Sequence, residues 1–309
     1  MVPLSSDTGF SPAEAGNAAA GAADDVTARP GMARWPQWAE AFRLDDDMAA
    51  AAYEATPARL RAVVKTGLAL AHMRFGEATE ERCGEVRNAN LGFWRAATAA
   101  PVPWAVVAFT PQYAAAARLT AACAAARLGG APLVGAACVG GAPAQAALVS
   151  LELSGVEDVF TLDAAGLRAL LAETAPAPGR LVLLHTGALD ETARAARELG
   201  IPCFEERRPP ALSLPQPEAF DLEALAFAQA EAYDSARAQG ASGTPTDSAF
   251  AAAGLPDALY LPAEAARTAC LHGRPPAPLL LTPGCEGFWL HPGLSPAFFR
   301  TRCEGFGAL

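Results

Sequence analysis

From Pro101 to Gly200 the chain repeats one pattern: a short, mainly apolar run and then a longer, alanine-rich stretch. The runs are Trp104-Ala-Val-Val-Ala-Phe109, Pro132-Leu-Val-Gly-Ala-Ala-Cys138, Val156-Glu-Asp-Val-Phe-Thr-Leu162 and Arg180-Leu-Val-Leu-Leu-His185. Apolar runs of this length, with little polar alternation, read as strands buried on both faces. The stretches between them (112–128, 143–154, 164–173 and 190–199) have the length and composition of helices. Strands and helices in alternation specify a parallel sheet covered on both sides. The expected class is α/β: a doubly wound, mostly parallel, Rossmann-like sheet in three αβα layers, preceded by an N-terminal helical segment.

Around this core, residues 1–33 are Ala, Gly, Ser, Asp and Pro in no periodic order and read as a disordered tail. Residues 34–100 read as the helical segment. Within it, Leu60, Val63, Val64, Leu68 and Ala71 recur at helical spacing behind Thr56-Pro57. The α/β domain is expected over 101–309, with a helix from Glu218 to Gln239 and a flexible linker over 240–254. Beyond the linker come a strand at 258–261, a helix at 263–271, a strand near 279–281 and a last helix from Ser295.

With 309 residues and 52% hydrophobic composition, the chain has ample material for a core. Its net charge of -10 argues against a nucleic-acid binder, which must neutralise phosphates. Leu128 to Leu151 carries no charge, but glycine pairs and prolines interrupt it, so no membrane span is expected. The seven cysteines include no Cys-x-x-Cys pair, and no Lys or Arg precedes Arg29, which together suggest a reducing, cytoplasmic setting.

Sites are sparser. A Gly-x-Gly-x-x-Gly loop is absent, and Gly140-Gly141 is either a tight turn or a pair of amides offered to a phosphate. There is no Walker loop, and Lys65, the only lysine, falls on an N-terminal helix. No Gly-x-Ser-x-Gly elbow occurs. His72 sits next to Arg74 on a solvated helix face. His185 ends a strand, where ligands bind in this architecture, although a bond to a neighbouring carbonyl is the ordinary fate of such a histidine. Cys270, His272, Cys285, His291 and Cys303 are zinc ligand types without a zinc spacing. Asp45-Asp-Asp47 reads as acid at a helix start, and Glu205-Glu-Arg-Arg208 as a solvated turn.

Taken in order, several segments resemble histidinol dehydrogenase. Pro103–Pro111 stands where that family has a Gly-x-Tyr-x-Pro-Gly-Gly strand end, and Pro143–Phe160 is similar to its passage into Ala-Gly-Val-Asp-Glu-Ile-Tyr. Gly200–Leu214 falls at its Gly-Ile-Asp-Met segment, Ala228-Gln-Ala-Glu231 matches Ala-Gln-Ala-Glu-His, and Pro292–Cys303 is similar to Gly-Leu-Ser-x-x-Asp-Phe-Leu-Lys-Arg-Thr. The resemblance implies a dimeric zinc enzyme that oxidises histidinol with NAD. It also shows what this chain lacks. The family's zinc glutamine and histidine correspond to Gln229 and Ala232, its zinc aspartate to the neighbourhood of Thr268, and its catalytic Pro-Glu-His-Leu-Glu segment has no counterpart. Its cofactor positions correspond to Phe109, Gln112-Tyr113, Gly166 and the neighbourhood of Ala188, and the 240–254 linker stands in place of a second lobe.

The reading is therefore a shortened relative that binds or regulates without turnover. Candidate site residues are His185 and Glu231 for catalysis, Phe109, Gln112, Gly140, Gly141 and Gly166 for a cofactor, and Gln229 for a metal. NAD is the cofactor the resemblance allows, while zinc is not expected. Partners would be a nucleotide or small molecule, a second copy, or a paralogous dehydrogenase. One alternative is an active NAD-dependent oxidoreductase using His185, Cys138, Gln229 and Glu231. Another is a protein-interaction module.

Overall fold

The computed structural model describes residues 34–76, 84–238, 255–272 and 275–309, so the expected tail and the 240–254 linker lie outside the described residues. At its centre is a five-stranded parallel sheet of β3 (Trp104–Phe109), β4 (Leu133–Val139), β5 (Asp158–Leu162), β6 (Gly179–Leu184) and β7 (Cys203–Glu206). The strand order is β5-β4-β3-β6-β7, all neighbours parallel. The chain thus winds outward from β3 in one direction, then returns to its other side to place β6 and β7.

Side-chain alternation explains the apolar runs. On one face Ala105, Val107 and Phe109 pack with α3 (Ala116–Leu128) and α4 (Gln145–Leu153). On the other, Trp104, Val106 and Ala108 pack with α5 (Ala164–Thr174), α6 (Asp190–Glu198), Trp35 and Ala39. Every residue of β3 is buried, which is why polar alternation is absent from it. The three-layer αβα class expected from the sequence is the one observed.

Helix α3 is sandwiched between the sheet and α2 (Ala58–Phe75), with α7 (Leu222–Gln229) also against it. Its alanines let the helices approach, and the result is burial of nearly the whole helix, Arg118 included. Helix α2 also crosses the segment around Gly287 at backbone distance. A Cβ on Gly67 would lie 2.0 Å from the Gly287 carbonyl oxygen. That contact fixes the stretch leading to Trp289 and His291.

Four expectations are corrected. The N-terminal helical segment ends at Phe75, after a 3-10 turn (Gln37–Phe42), α1 (Asp46–Ala55) and α2. Residues 84–101 instead form β1 (Gly84–Asn88) and β2 (Phe93–Pro101), antiparallel to each other. The helix expected from Ser295 is a single 3-10 turn, Pro296–Phe299, followed by β11 (Arg300–Ala308), which pairs along the whole of β2. Gly305 and Gly307 disfavour helix there and lie against the Trp94 ring, with which a Cβ on Gly307 would collide.

The expected 218–239 helix is broken at Ala230 (φ +38°) into α7 and α8 (Glu231–Ala238). Of Glu205-Glu-Arg-Arg208, read as a solvated turn, the two glutamates belong instead to edge strand β7. The strands expected at 258–261 and near 279–281 and the helix expected at 263–271 are present. Those strands join a small parallel sheet, β10-β9-β8, made of Leu212–Ser213 (β8), Ala258–Tyr260 (β9) and Leu279–Leu281 (β10), with α9 (Ala263–His272) between the last two. Among the described residues no helix is long and apolar enough to cross a membrane.

Candidate functional site

The carboxyl ends of β3 and β6 lie side by side where the winding reverses, and in open α/β sheets ligands bind at that point. Here they frame a pocket of about 70 Å³ lined by Thr110, Gln112, Tyr113, Arg118, His185, Thr186, Glu206 and Glu231, with Arg208 and Pro209 at its side. It adjoins a cleft of about 380 Å³ beside Phe204, Trp289 and His291; Glu206 and Arg208 line both.

Beneath the pocket is a buried ionic cluster. Arg118, 1% exposed, donates from Nη1 to Glu206 Oε1 and from Nη2 to Glu231 Oε2 at 2.7 Å. Its guanidinium lies 5.0 Å from the Tyr113 ring centroid. Glu206, 12% exposed, also accepts from the Tyr113 hydroxyl at 2.9 Å, and its second oxygen lies 3.1 Å from His291 Nδ1. His291 Nε2 stands 2.8 Å from the Arg118 carbonyl oxygen. Burial works to raise the Glu206 pKa, but hydrogen bonding from His291 and the Arg118 charge outweigh it, so the carboxyl is held below its ordinary 4.5. Burial also raises Tyr113 well above 10, leaving the phenol a neutral donor.

His185, next after β6, has a buried side chain. Its Nδ1 accepts from the amides of Gly187 (2.9 Å) and Leu189 (3.1 Å), which is a bond to the following turn rather than to a carbonyl. Burial lowers its pKa, favouring the neutral ring. With Nδ1 accepting, the neutral tautomer carries its proton on Nε2.

These positions allow the groups implied by the resemblance to be tested. Among the described residues, one set of three ligand types converges: His185, Asp190 and Glu205. The His185 lone pair at Nδ1 is already spent on two amides, and the Arg207 guanidinium sits 2.7 Å from Asp190 and 3.4 Å from Glu205. A guanidinium thus holds the place a metal ion would need. Gln229 is fully buried beside Arg118, Ala232 offers no ligand, and Thr268 is exposed on α9. Zinc does not fit this donor set. The 70 Å³ pocket by itself is too small for a dinucleotide, whereas the adjoining cleft of about 380 Å³ is of cofactor size. Cofactor and drug-sized pockets run to about 300–1,000 Å³, and a pyrophosphate would need amides and cations free at the start of α3. Here the Ala114 amide donates to Glu231, and both carboxylates line the space.

The remaining candidates scatter. Gln112 lines the pocket beside His185 and Glu231. Phe109 is fully buried on the α3 face of the sheet. Gly140 takes φ +95° in a turn, and its amide donates to the Leu162 carbonyl, so that amide is not free for a phosphate. Gly141 packs on Pro111, and the Gly166 amide is taken by the cap Asp163. Cys138 is buried, its thiol pushed up to about 12, so no thiolate is available. Asp45 caps α1, accepting from the Asp47 amide.

Three central residues, Arg118, Glu206 and Tyr113, were not singled out as chemistry from the sequence. One signal was legible: Arg118 is the only charge in an alanine run from 114 to 126. A lone charge in so apolar a helix calls for a buried partner.

No protein-family model and no curated protein matches the sequence. Among solved structures, histidinol dehydrogenase from Elizabethkingia anophelis superposes with a TM-score of 0.56 at 13% identity, covering 87% of this chain and 77% of that one. The fold is dehydrogenase-like. At this identity the likeness extends to the fold and not to the residues. The putative aldehyde dehydrogenase PutA from Anabaena variabilis (TM-score 0.35, 16% identity, 72% of this chain and 48% of that one) is too distant to add to it. The same holds for an NAD+ complex of aldehyde dehydrogenase from Bacillus cereus (TM-score 0.36, 14% identity, 72% and 46%).

Proposed function

We propose that this protein is a non-catalytic relative of histidinol dehydrogenase that works by binding rather than by hydride transfer. The observation that carries this reading is the Arg118–Glu206–Glu231 cluster, which fills the strand-end position where a dinucleotide's phosphates would need free cations. Hydride removal from an alcohol needs a base or metal on the oxygen and an acceptor beside the carbon. His185 and Glu231 are the only previously named catalytic candidates at the pocket. His185 holds its basic nitrogen on backbone amides, and Glu231 is ion-paired. The test is NAD(P)H formation from histidinol with NAD+ or NADP+, with and without added Zn²⁺. The expected result is no turnover above the protein-free control, and sustained turnover would refute the reading.

A second reading, association with a second copy or a paralogous dehydrogenase, is favoured by the β1-β2-β11 sheet. Val86, Arg95 and Phe306 are in register across its three strands, with Phe93 alongside. Val86, Phe93 and Phe306 are 66%, 59% and 69% exposed. A three-stranded sheet gains independent stability only by covering such a face. Edge strand β1 is also self-complementary: pairing antiparallel with its copy about Val86 sets Glu85 opposite Arg87. Light scattering on the purified chain should show a dimer that Phe306→Ser converts to monomer; a monomeric wild type would remove this reading. The free cysteines, with Cys270 and Cys303 exposed, support a reducing, cytoplasmic setting.

A further inference from the structure

At the opposite edge of the sheet from β7, beside the amino end of β5, a groove of about 350 Å³ runs between α1 and α4. It shares no residue with the strand-end pocket or with the cleft beside it. Most of its lining is aliphatic, supplied by Leu44, Ala49, Ala50, Leu148, Val156 and Val159. The two alanines put only methyl groups on this part of α1, which leaves open the space that longer side chains would fill.

Asp45, Asp46, Glu152 and Glu157 also line the groove, against one cation, Arg43. That guanidinium is committed elsewhere: it lies 3.3 Å from Asp158 and 3.7 Å from Glu40, neither of which lines the groove. None of the four lining carboxylates has an ion pair among the described residues. Asp45 and Asp46 are accounted for by α1, since Asp45 caps it and both stand at its positive end. Glu152 is the reverse case. It lies in the last turn of α4, at the negative end of that helix, and the turn holds no basic residue. With Glu157 it leaves an aliphatic groove bordered by negative charge that nothing in the described chain offsets.

Such a groove complements a cation carried on an aliphatic stem, which is how Arg and Lys bury their methylenes while the charged head stays at the edge. Its volume suits about two long side chains, on the order of fourteen non-hydrogen atoms if about 150 Å³ holds benzene. We infer that the α1–α4 groove docks a basic amphipathic segment of a partner protein, with an Arg or Lys stem along the aliphatic lining and its head at Glu152 and Glu157. This goes beyond the strand-end site and stands whether or not that site turns over.

The test is fluorescence anisotropy of the full chain with two short dye-labelled peptides of equal charge. One has Leu, Ala and Arg in helical amphipathic order, and in the other every Leu is replaced by Gly. The expected result is saturable binding of the first, about tenfold tighter than the second. Glu152→Gln combined with Glu157→Gln should weaken it by about tenfold. Glu191→Gln combined with Glu264→Gln, an equal charge change at exposed positions of α6 and α9, should leave it unchanged. Ala50→Arg places a guanidinium on the α1 wall of the groove and should block the peptide, which keeps the test open if the first double variant does not fold. Equal binding of the two peptides, equal losses in the two double variants, or full binding by A50R overturns the inference. Spermidine that binds saturably where neither peptide does would give the groove to a small polyamine and overturn it too.

Discussion

Glu205 and Glu206 are neighbours on one strand, yet they belong to different kinds of structure. Strand alternation turns Glu206 to the α3 side, where Phe204 joins the core and His291, Tyr113 and Arg118 close over the carboxylate. Glu205 turns to the α6 side, where it meets Arg207 and Asp190 at the surface. Both clusters contain an arginine, two acids and a histidine. In the first, Arg118, Glu206 and His291 are buried and depend on one another, and only Glu231, its side chain 37% exposed, reaches water. In the second, water screens the charges and the partners are replaceable. The type of residue did not decide this difference. It was decided by which face of β7 a second layer covers.

The comparison breaks most visibly at Glu206. Glu206→Ala leaves Arg118 buried with half its compensation, and loss of one partner from a buried ion pair costs about 3–5 kcal/mol, which urea denaturation would resolve. A Glu206→Ala loss within error of wild type would place the cluster among the solvated ones. Coupling comes next. Arg118→Met combined with Glu206→Leu should be less damaging than the sum of the single changes, with an interaction of about 1–3 kcal/mol in a double-mutant cycle.

The third prediction concerns acid. Because the folded-state Glu206 pKa lies below its ordinary 4.5, its contribution is complete above 4.5 and is lost as the pH falls through the lowered value. Stability measured from pH 6 downward should therefore fall more steeply in wild type than in Glu206→Gln. The smallest effect is expected at Arg207→Ala, which opens the surface cluster and should leave the denaturation midpoint unchanged. A clear loss there would erase the distinction drawn between the two faces.

The same contrast separates what the sequence could and could not show. The β3–α6 core was legible because strands covered on both faces have no polar positions, so local composition reports burial directly. His185 was legible by its place after a strand. The β2–β11 pairing was not, since its partners lie some 200 residues apart and Ala-rich β2 has no strong strand preference of its own. Strand β7 is short, on an edge, and ends in two glutamates, which locally is indistinguishable from a polar turn. The value of Glu206 comes from Arg118, which lies 88 residues away, and from His291, so no window around it carries the signal. Ala230 with positive φ was equally unreadable, yet it turns Glu231 toward Arg118.

The most direct test of the central claim is a thermal-shift titration of the full chain with NAD+, with and without histidinol. A dinucleotide at about 100 times its dissociation constant adds roughly 2.7 kcal/mol and moves the midpoint by several degrees. Binding without hydride transfer, at a pocket closed to dinucleotides by its own carboxylates, predicts flat curves. A saturable rise with NAD+, accompanied by NADH when histidinol is present, would contradict it.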